Sequence, residues 1–209
     1  MVLSELLVRL REERAGVEKK CKVCSTAGVE GWDALRAEYY RRVIERYSSV
    51  ISFGEEKSIP ELKRIVSPDE CVRRKANELA VGEDFAVAAF DYVASLPLLR
   101  SKISVSVWLS PSEVMELGCG DVMDKAVLLC SLLLAMGLKA SLRVVELEEG
   151  LKHPVVVVRG ETCALLDPSG GANATGKSPE ELLAGFSFQD KRFVRSLYEF
   201  DDSAYEAFQ

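Results

Sequence analysis

From Val122 to Met136 the chain carries a helix-forming stretch that is apolar on nearly every face. A helix of that kind has no polar side to turn toward water, so it must be packed between other layers. Asp121 can cap its start, Asp124 lies in the first turn, where the helix dipole favours an anion, and Gly137 supplies a left-handed stop. Its most apolar part, Ala126 to Met136, falls well short of the roughly 20 residues that span a bilayer. Three β-rich runs follow: Ala140 to Leu147, His153 to Val158 and Thr162 to Leu166. They are separated by Glu148-Glu149-Gly150 and by Arg159-Gly160-Glu161. Links that short force antiparallel pairing.

Upstream, residues 1 to about 100 read as helices without a strand signal. Leu6, Leu7 and Leu10 mark one amphipathic segment, and Trp32, Leu35, Tyr39, Val43 and Tyr47 mark a second. Ser67-Pro68-Asp69-Glu70, Ser110-Pro111-Ser112-Glu113 and Ser178-Pro179-Glu180-Glu181 each offer a capping serine, a proline at the first helical position and a glutamate three residues after the cap. A further helix is predicted from about Glu83 to Leu96. The expectation is an α+β chain with a helical N-terminal region over residues 1–82. The core, residues 83–209, has the buried central helix packed on a small antiparallel sheet and ends in a helical extension.

Composition excludes several function classes. With 29% charged residues, a net charge of -6 and no dense Lys/Arg stripe, the chain gains little from phosphate counterion release, so neither nucleic acid nor an anionic membrane surface is an expected partner. Met1 to Glu13 is interrupted by Glu5, Arg9, Arg11, Glu12 and Glu13, which breaks the apolar centre a secretory signal needs; the expected location is cytoplasmic. Cys21, Cys24, Cys71, Cys119, Cys130 and Cys163 are then thiols. Cys21-Lys22-Val23-Cys24 has the spacing of half a zinc knuckle or of a dithiol redox site, yet there is no second such pair, only one histidine and no strand ahead of it, so free thiols and no metal site are expected. Gly171 to Ser178 fits the phosphate-loop pattern letter for letter, but follows an antiparallel hairpin and precedes a short helix interrupted by Gly185. It reads as a glycine-rich surface loop, with no nucleotide or other cofactor.

A three-residue loop at Arg159 to Glu161 pairs residues whose numbers sum to 320, which sets His153, the only histidine, opposite Asp167. A carboxylate so placed can accept a hydrogen bond from the imidazole and fix its tautomer. The spacing also fits a histidine satisfying a backbone group beside an ordinary Asp167-Pro168-Ser169-Gly170 turn. A histidine oriented by an aspartate calls for a nucleophile at a helix amino end, where free amides and the dipole lower a thiol's pKa and receive an oxyanion.

Gly120-Asp121-Val122-Met123-Asp124-Lys125-Ala126-Val127-Leu128-Leu129, then Leu133, Gly137 and Ala140, resembles the transglutaminase-like motif Gly-Asp-Cys-x-Asp-Lys-Ala-x-Leu-Leu. Trp108 to Val114 resembles the segment that often precedes it, His153 falls at the family's histidine, and Leu166-Asp167-Pro168-Ser169 resembles its Leu-Asp-Pro-Thr/Ser. The resemblance covers about residues 83 to 170 and implies a papain-type core in which cysteine attacks a carboxamide or peptide carbonyl, histidine shuttles the proton and aspartate orients the histidine. Here Val122 stands at the nucleophile position. Two readings follow: a catalytically degenerate module that binds a peptide or protein, or an amidohydrolase, protease or acyltransferase that uses Cys119, three residues upstream, with His153 and Asp167. Cys130, inside the helix, reads as packing.

Overall fold

The computed structural model describes residues 34–42, 45, 57–81, 84–99 and 108–208. The chain divides into two units, residues 57–103 with 108–209, and residues 1–56 with 104–107. In the smaller unit residues 34–42 are helical, which includes Leu35 and Tyr39; Leu6, Leu7, Leu10, Cys21, Cys24, Trp32, Val43 and Tyr47 lie outside the described residues.

The larger unit begins with five helices: α1 (Ile59–Val66), α2 (Glu70–Leu79), α3 (Phe85–Ser95), α4 (Pro111–Leu117) and α5 (Val122–Ala135). Their starts follow local chemistry. In α4, Ser110 accepts from the Glu113 amide and the Glu113 carboxylate accepts from the Ser110 amide at 2.7 Å. In α2 the cap is Asp69, which accepts from the Val72 amide at 2.9 Å, rather than Ser67. Ser67 instead terminates α1, its amide donating to the Lys63 and Arg64 carbonyls. That helix opens with Ser58 and Glu61 in the same cap arrangement and runs up to the proline, leaving the following aspartate to start α2.

The central helix α5 is capped reciprocally: Asp121 accepts from the Asp124 amide at 2.8 Å and Asp124 from the Asp121 amide at 3.1 Å. Every residue from Asp124 to Leu133 is buried, as its all-round apolarity requires, and Gly137 takes the left-handed conformation with φ 76°.

After α5 come β1 (Lys139–Leu147), a short 3-10 turn at Glu148–Gly150, β2 (Leu151–Arg159), β3 (Cys163–Asp167), β4 (Ala172–Gly176), the helix α6 (Pro179–Ala184), β5 (Ser187–Phe188), β6 (Lys191–Phe200) and β7 (Tyr205–Ala207). They form one seven-stranded sheet in the order β4-β3-β2-β1-β6-β5, with β7 on β6. All pairings are antiparallel. The three anticipated strands are its middle, so the sheet is larger than the expected small one.

The expected C-terminal helical extension is corrected: residues 191–200 are β6, paired along β1 with two register shifts. The physical reason lies in β1, which is buried from Ala140 to Val145 with Leu147 also buried; such a strand cannot be left as an edge, and the aromatic-rich segment Lys191–Phe200 completes its hydrogen bonds. Residues 172–176, anticipated as surface loop, are likewise a strand, exposed at the sheet edge.

Strand alternation separates two layers. On one face Val145, Leu147, Val155, Val157 and Leu165 pack with Leu183 and Phe186 from α6 and the segment after it. The even-numbered residues Leu142, Val144, Val156 and Leu166 are buried on the other face, which is left to α5, packed against β1 and β2.

Candidate functional site

His153 and Asp167 are brought together, but not by the register deduced from loop length. The observed pairs, Val156 with Leu166 and Arg159 with Cys163, sum to 322 rather than 320, so Asp167 is diagonal to His153 instead of directly opposite. The loop is Gly160 to Thr162. A slip of two keeps the face, whereas a slip of one would have reversed it. His153 Nε2 therefore still reaches Asp167 Oδ2 at 3.0 Å, with both side chains almost completely buried.

Asp167 is held from three sides besides the imidazole. Its Oδ1 accepts from the Ser169 amide at 2.9 Å, the Ser169 hydroxyl at 2.5 Å and the Gly170 amide at 3.1 Å. Burial works to raise its pKa, but the hydrogen bond and charge of His153, with those from Ser169 and Gly170, outweigh it and hold the carboxyl below its ordinary value. An ionised Asp167 accepts from Nε2, which fixes the imidazole's orientation. The Ser169-Gly170 turn depends on glycine: a Cβ at Gly170 would lie 2.7 Å from Asp167 Oδ2.

By strand alternation the pair shares the sheet face of Val155, Val157 and Leu165, where Phe186 packs, not the face that α5 covers, and its relation to the amino end of α5 is indirect. A cleft of about 300 Å³ is lined by Asp167, Ser169, Gly170, Phe188 and Leu98, among others, and Leu98 forms a parallel bridge with Gly120, just ahead of the helix. The buried Lys125, in the first turn, lies within the electrostatic field of Asp167. Burial lowers the Lys125 pKa and the Asp167 charge opposes that shift; its ammonium donates to the Ala94 and Leu96 carbonyls at 3.1 and 3.0 Å, tying the end of α3 to α5. Asp124 accepts from the Leu109 amide at 2.8 Å, so the motif's Asp-Lys pair fastens two other segments to the helix start.

Residues 106–190 match the family described as CEP76 peptidase-like domain. The match falls on the segment that carries the central helix, the histidine and the aspartate, and it agrees with the transglutaminase-like, papain-type resemblance of the motifs. The chain is also similar to solved structures. LapG of Legionella pneumophila is 15% identical, with 72% of this chain and 86% of that chain covered and a TM-score of 0.49. Its EGTA-treated form is 15% identical over 73% and 87%, with a TM-score of 0.48. A cysteine-protease candidate from Cytophaga hutchinsonii is 16% identical over 65% and 53%, with a TM-score of 0.42. No curated protein matches.

Within the matched residues Val122 is the first residue of α5 and is partly buried. Cys119 is completely buried; burial first, and the Asp124 carboxylate second, push its thiol up to about 11. Its loop is pinned, the Leu99 amide donating to the Gly120 carbonyl at 2.9 Å and the Gly120 amide to the Pro97 carbonyl at 3.3 Å. Cys130 is buried within α5, its thiol pushed far above its ordinary value by burial.

Sequence reasoning missed Phe188, whose ring centroid lies 4.0 Å from that of His153, and Gly170. The first carries no signal in the sequence, because nothing local marks its strand; the second lies in the Asp-Pro-Ser-Gly turn, where a glycine reads only as a turn residue. Among the described residues no group of three or more His, Cys, Asp or Glu side chains could hold a metal ion, and no helix is long and apolar enough to cross a membrane.

Proposed function

We propose that the chain is a catalytically degenerate papain-type module that binds an extended peptide or a protein segment in the cleft beside Asp167. The observation that carries this reading is Val122 at the first position of α5, where the motif's thiol would stand, in a chain whose His153–Asp167 pair retains its hydrogen bond. An aliphatic side chain cannot form an acyl intermediate, so the scaffold keeps the parts that hold a carbonyl-bearing ligand and lacks the one that attacks it.

The alternative, a thiol enzyme using Cys119, is disfavoured by burial. A thiol with a pKa near 11 is ionised at pH 7 only to roughly one part in ten thousand. The pinned loop leaves no local slip to carry it toward the imidazole.

Iodoacetamide labelling of the folded protein across pH, with the modified cysteines mapped, separates the two. The binding module predicts that Cys119 reacts more slowly than the exposed Cys71 at every pH, together with saturable, turnover-free binding in a peptide array. Rapid labelling of Cys119 with a midpoint below about 8.5 that depends on His153 would establish the enzyme instead.

A further inference from the structure

We propose, resting on the reading of this cleft as a binding site, that Phe188 is a displaceable plug occupying a slot for a planar apolar side chain of the bound peptide. His153 is 1% exposed although it is bonded to Asp167, which lines the cleft. Phe188 lines the same cleft and lies over the imidazole with an interplanar angle of 30°, while the buried Phe186 packs on the imidazole as well, its ring centroid 5.7 Å away. On another side the ring meets Gly170, where an added Cβ would come within 3.3 Å of Phe188 Cδ2. In this structure the chain therefore fills the space beside the imidazole and Gly170 with its own aromatic side chain.

The segment that carries the plug is built to yield. β5 has only two pairs with β6, Ser187 with Arg192 and Phe188 with Lys191. The turn joining them puts Gln189 at φ 52° and Asp190 at φ 63°, left-handed positions that a tight hairpin normally gives to Asn or Asp followed by Gly. The base is firmly tied: the Arg192 amide donates to Glu148 at 3.0 Å and the Phe193 amide to the Phe186 carbonyl at 3.0 Å. Opening is therefore confined to the tip, which is held by the two strand pairs, by the ion pair of Lys191 with Glu149 and by the packing of Phe188, itself only partly buried, against the core cluster that includes Phe186.

Because His153 is the only histidine, diethyl pyrocarbonate modification followed at the histidine absorbance reads its accessibility directly, whether or not any peptide has been found to bind. The wild-type protein should react slowly relative to the unfolded chain, and Phe188→Ala at least about tenfold faster than wild type. Millimolar N-acetyl-phenylalaninamide should return Phe188→Ala toward the wild-type rate, while N-acetyl-alaninamide should not. Asp190→Gly, which removes a Cβ from a left-handed position without opening a cavity, should slow the reaction below wild type. This variant decides the matter should Phe188→Ala fail to fold. A wild-type rate equal to that of the unfolded chain, a folded Phe188→Ala no faster than wild type, no protection by the phenyl compound, or an unchanged Asp190→Gly would each overturn the plug. None of these results depends on the thiol labelling or the peptide array that test the binding-module reading, so the two can fail separately.

Discussion

Val122→Cys places a thiol at the first residue of α5. The substitution removes about one methyl group from a partly buried site, so it should lower stability by only about 1 kcal/mol. A helix amino end stabilises a thiolate by up to about 1 kcal/mol, and an imidazolium within about 4–6 Å lowers an acid's pKa by about 1–3 units. Together they should take the new thiol from about 8.5 to about 6. At pH 6 the thiolate fraction then rises from roughly 0.3% to roughly 50%, while the weaker intrinsic nucleophilicity of a low-pKa thiolate removes roughly a factor of ten. The net expectation is alkylation by iodoacetamide roughly tenfold faster than that of an ordinary exposed thiol at pH 6. Alkylation rates of the introduced thiol, mapped by mass spectrometry between about pH 4 and pH 10, give the midpoint, and adding His153→Ala should return it to about 8. A midpoint near 8.5 that His153→Ala leaves unchanged would refute the reasoning, because the amino end of α5 would then not face the imidazole.

Asp167→Asn removes the charge that accepts four hydrogen bonds and should cost about 2–4 kcal/mol at pH 7 in denaturant unfolding. The folded pKa of Asp167 is depressed, so its stabilisation is fully present above the unfolded value of about 4 and is lost as pH falls through the lower folded one. The wild-type advantage over Asp167→Asn should therefore be flat from about pH 5 to about pH 8 and shrink below about pH 4, and a gap that persists in acid contradicts the assignment. Gly170→Ala forces a Cβ to 2.7 Å from Asp167 Oδ2, whereas at Gly160 the nearest atom stands at 3.6 Å. The first should lower stability by about 2 kcal/mol in a thermal or denaturant melt and the second by less than about 0.5 kcal/mol. Glu199→Ala strips the buried carboxylate shared by Arg143 and Arg159, each with a nitrogen at 2.5 Å; because Arg143 keeps Glu180 and Arg159 is partly exposed, the same melts should show a loss of about 1–3 kcal/mol.

The parts legible in sequence were those settled within a few residues. The reciprocal caps of α4 and α5, the left-handed Gly137 and the burial of α5 follow from local hydrogen bonding and from an apolar surface with no polar side. The His153–Asp167 contact came through although its register was two residues out, because a pleat repeats every two residues and an even error leaves both side chains on one face. Ser67 was misplaced because Asp69, two positions on, is an equally good acceptor, and only the end of α1 decides between them.

The C-terminal strands were not legible for a different reason. Nothing within residues 191–200 says that they pair with β1, more than forty residues earlier; that pairing arises because β1, sheathed by β2 on one side and buried along most of its length, needs a partner on the other. Phe188 depends on the same event, since its ring meets His153 only once β6 has drawn β5 beside the sheet. Sequence alone therefore determined the central helix, its capped amino end bearing valine, and the shared face of one imidazole and one carboxylate, all consequences of short-range periodicity and capping. The tertiary structure alone decided that the sheet has seven strands, that Cys119 is sealed away, and that Phe188 covers the imidazole, because each rests on contacts between segments distant along the chain.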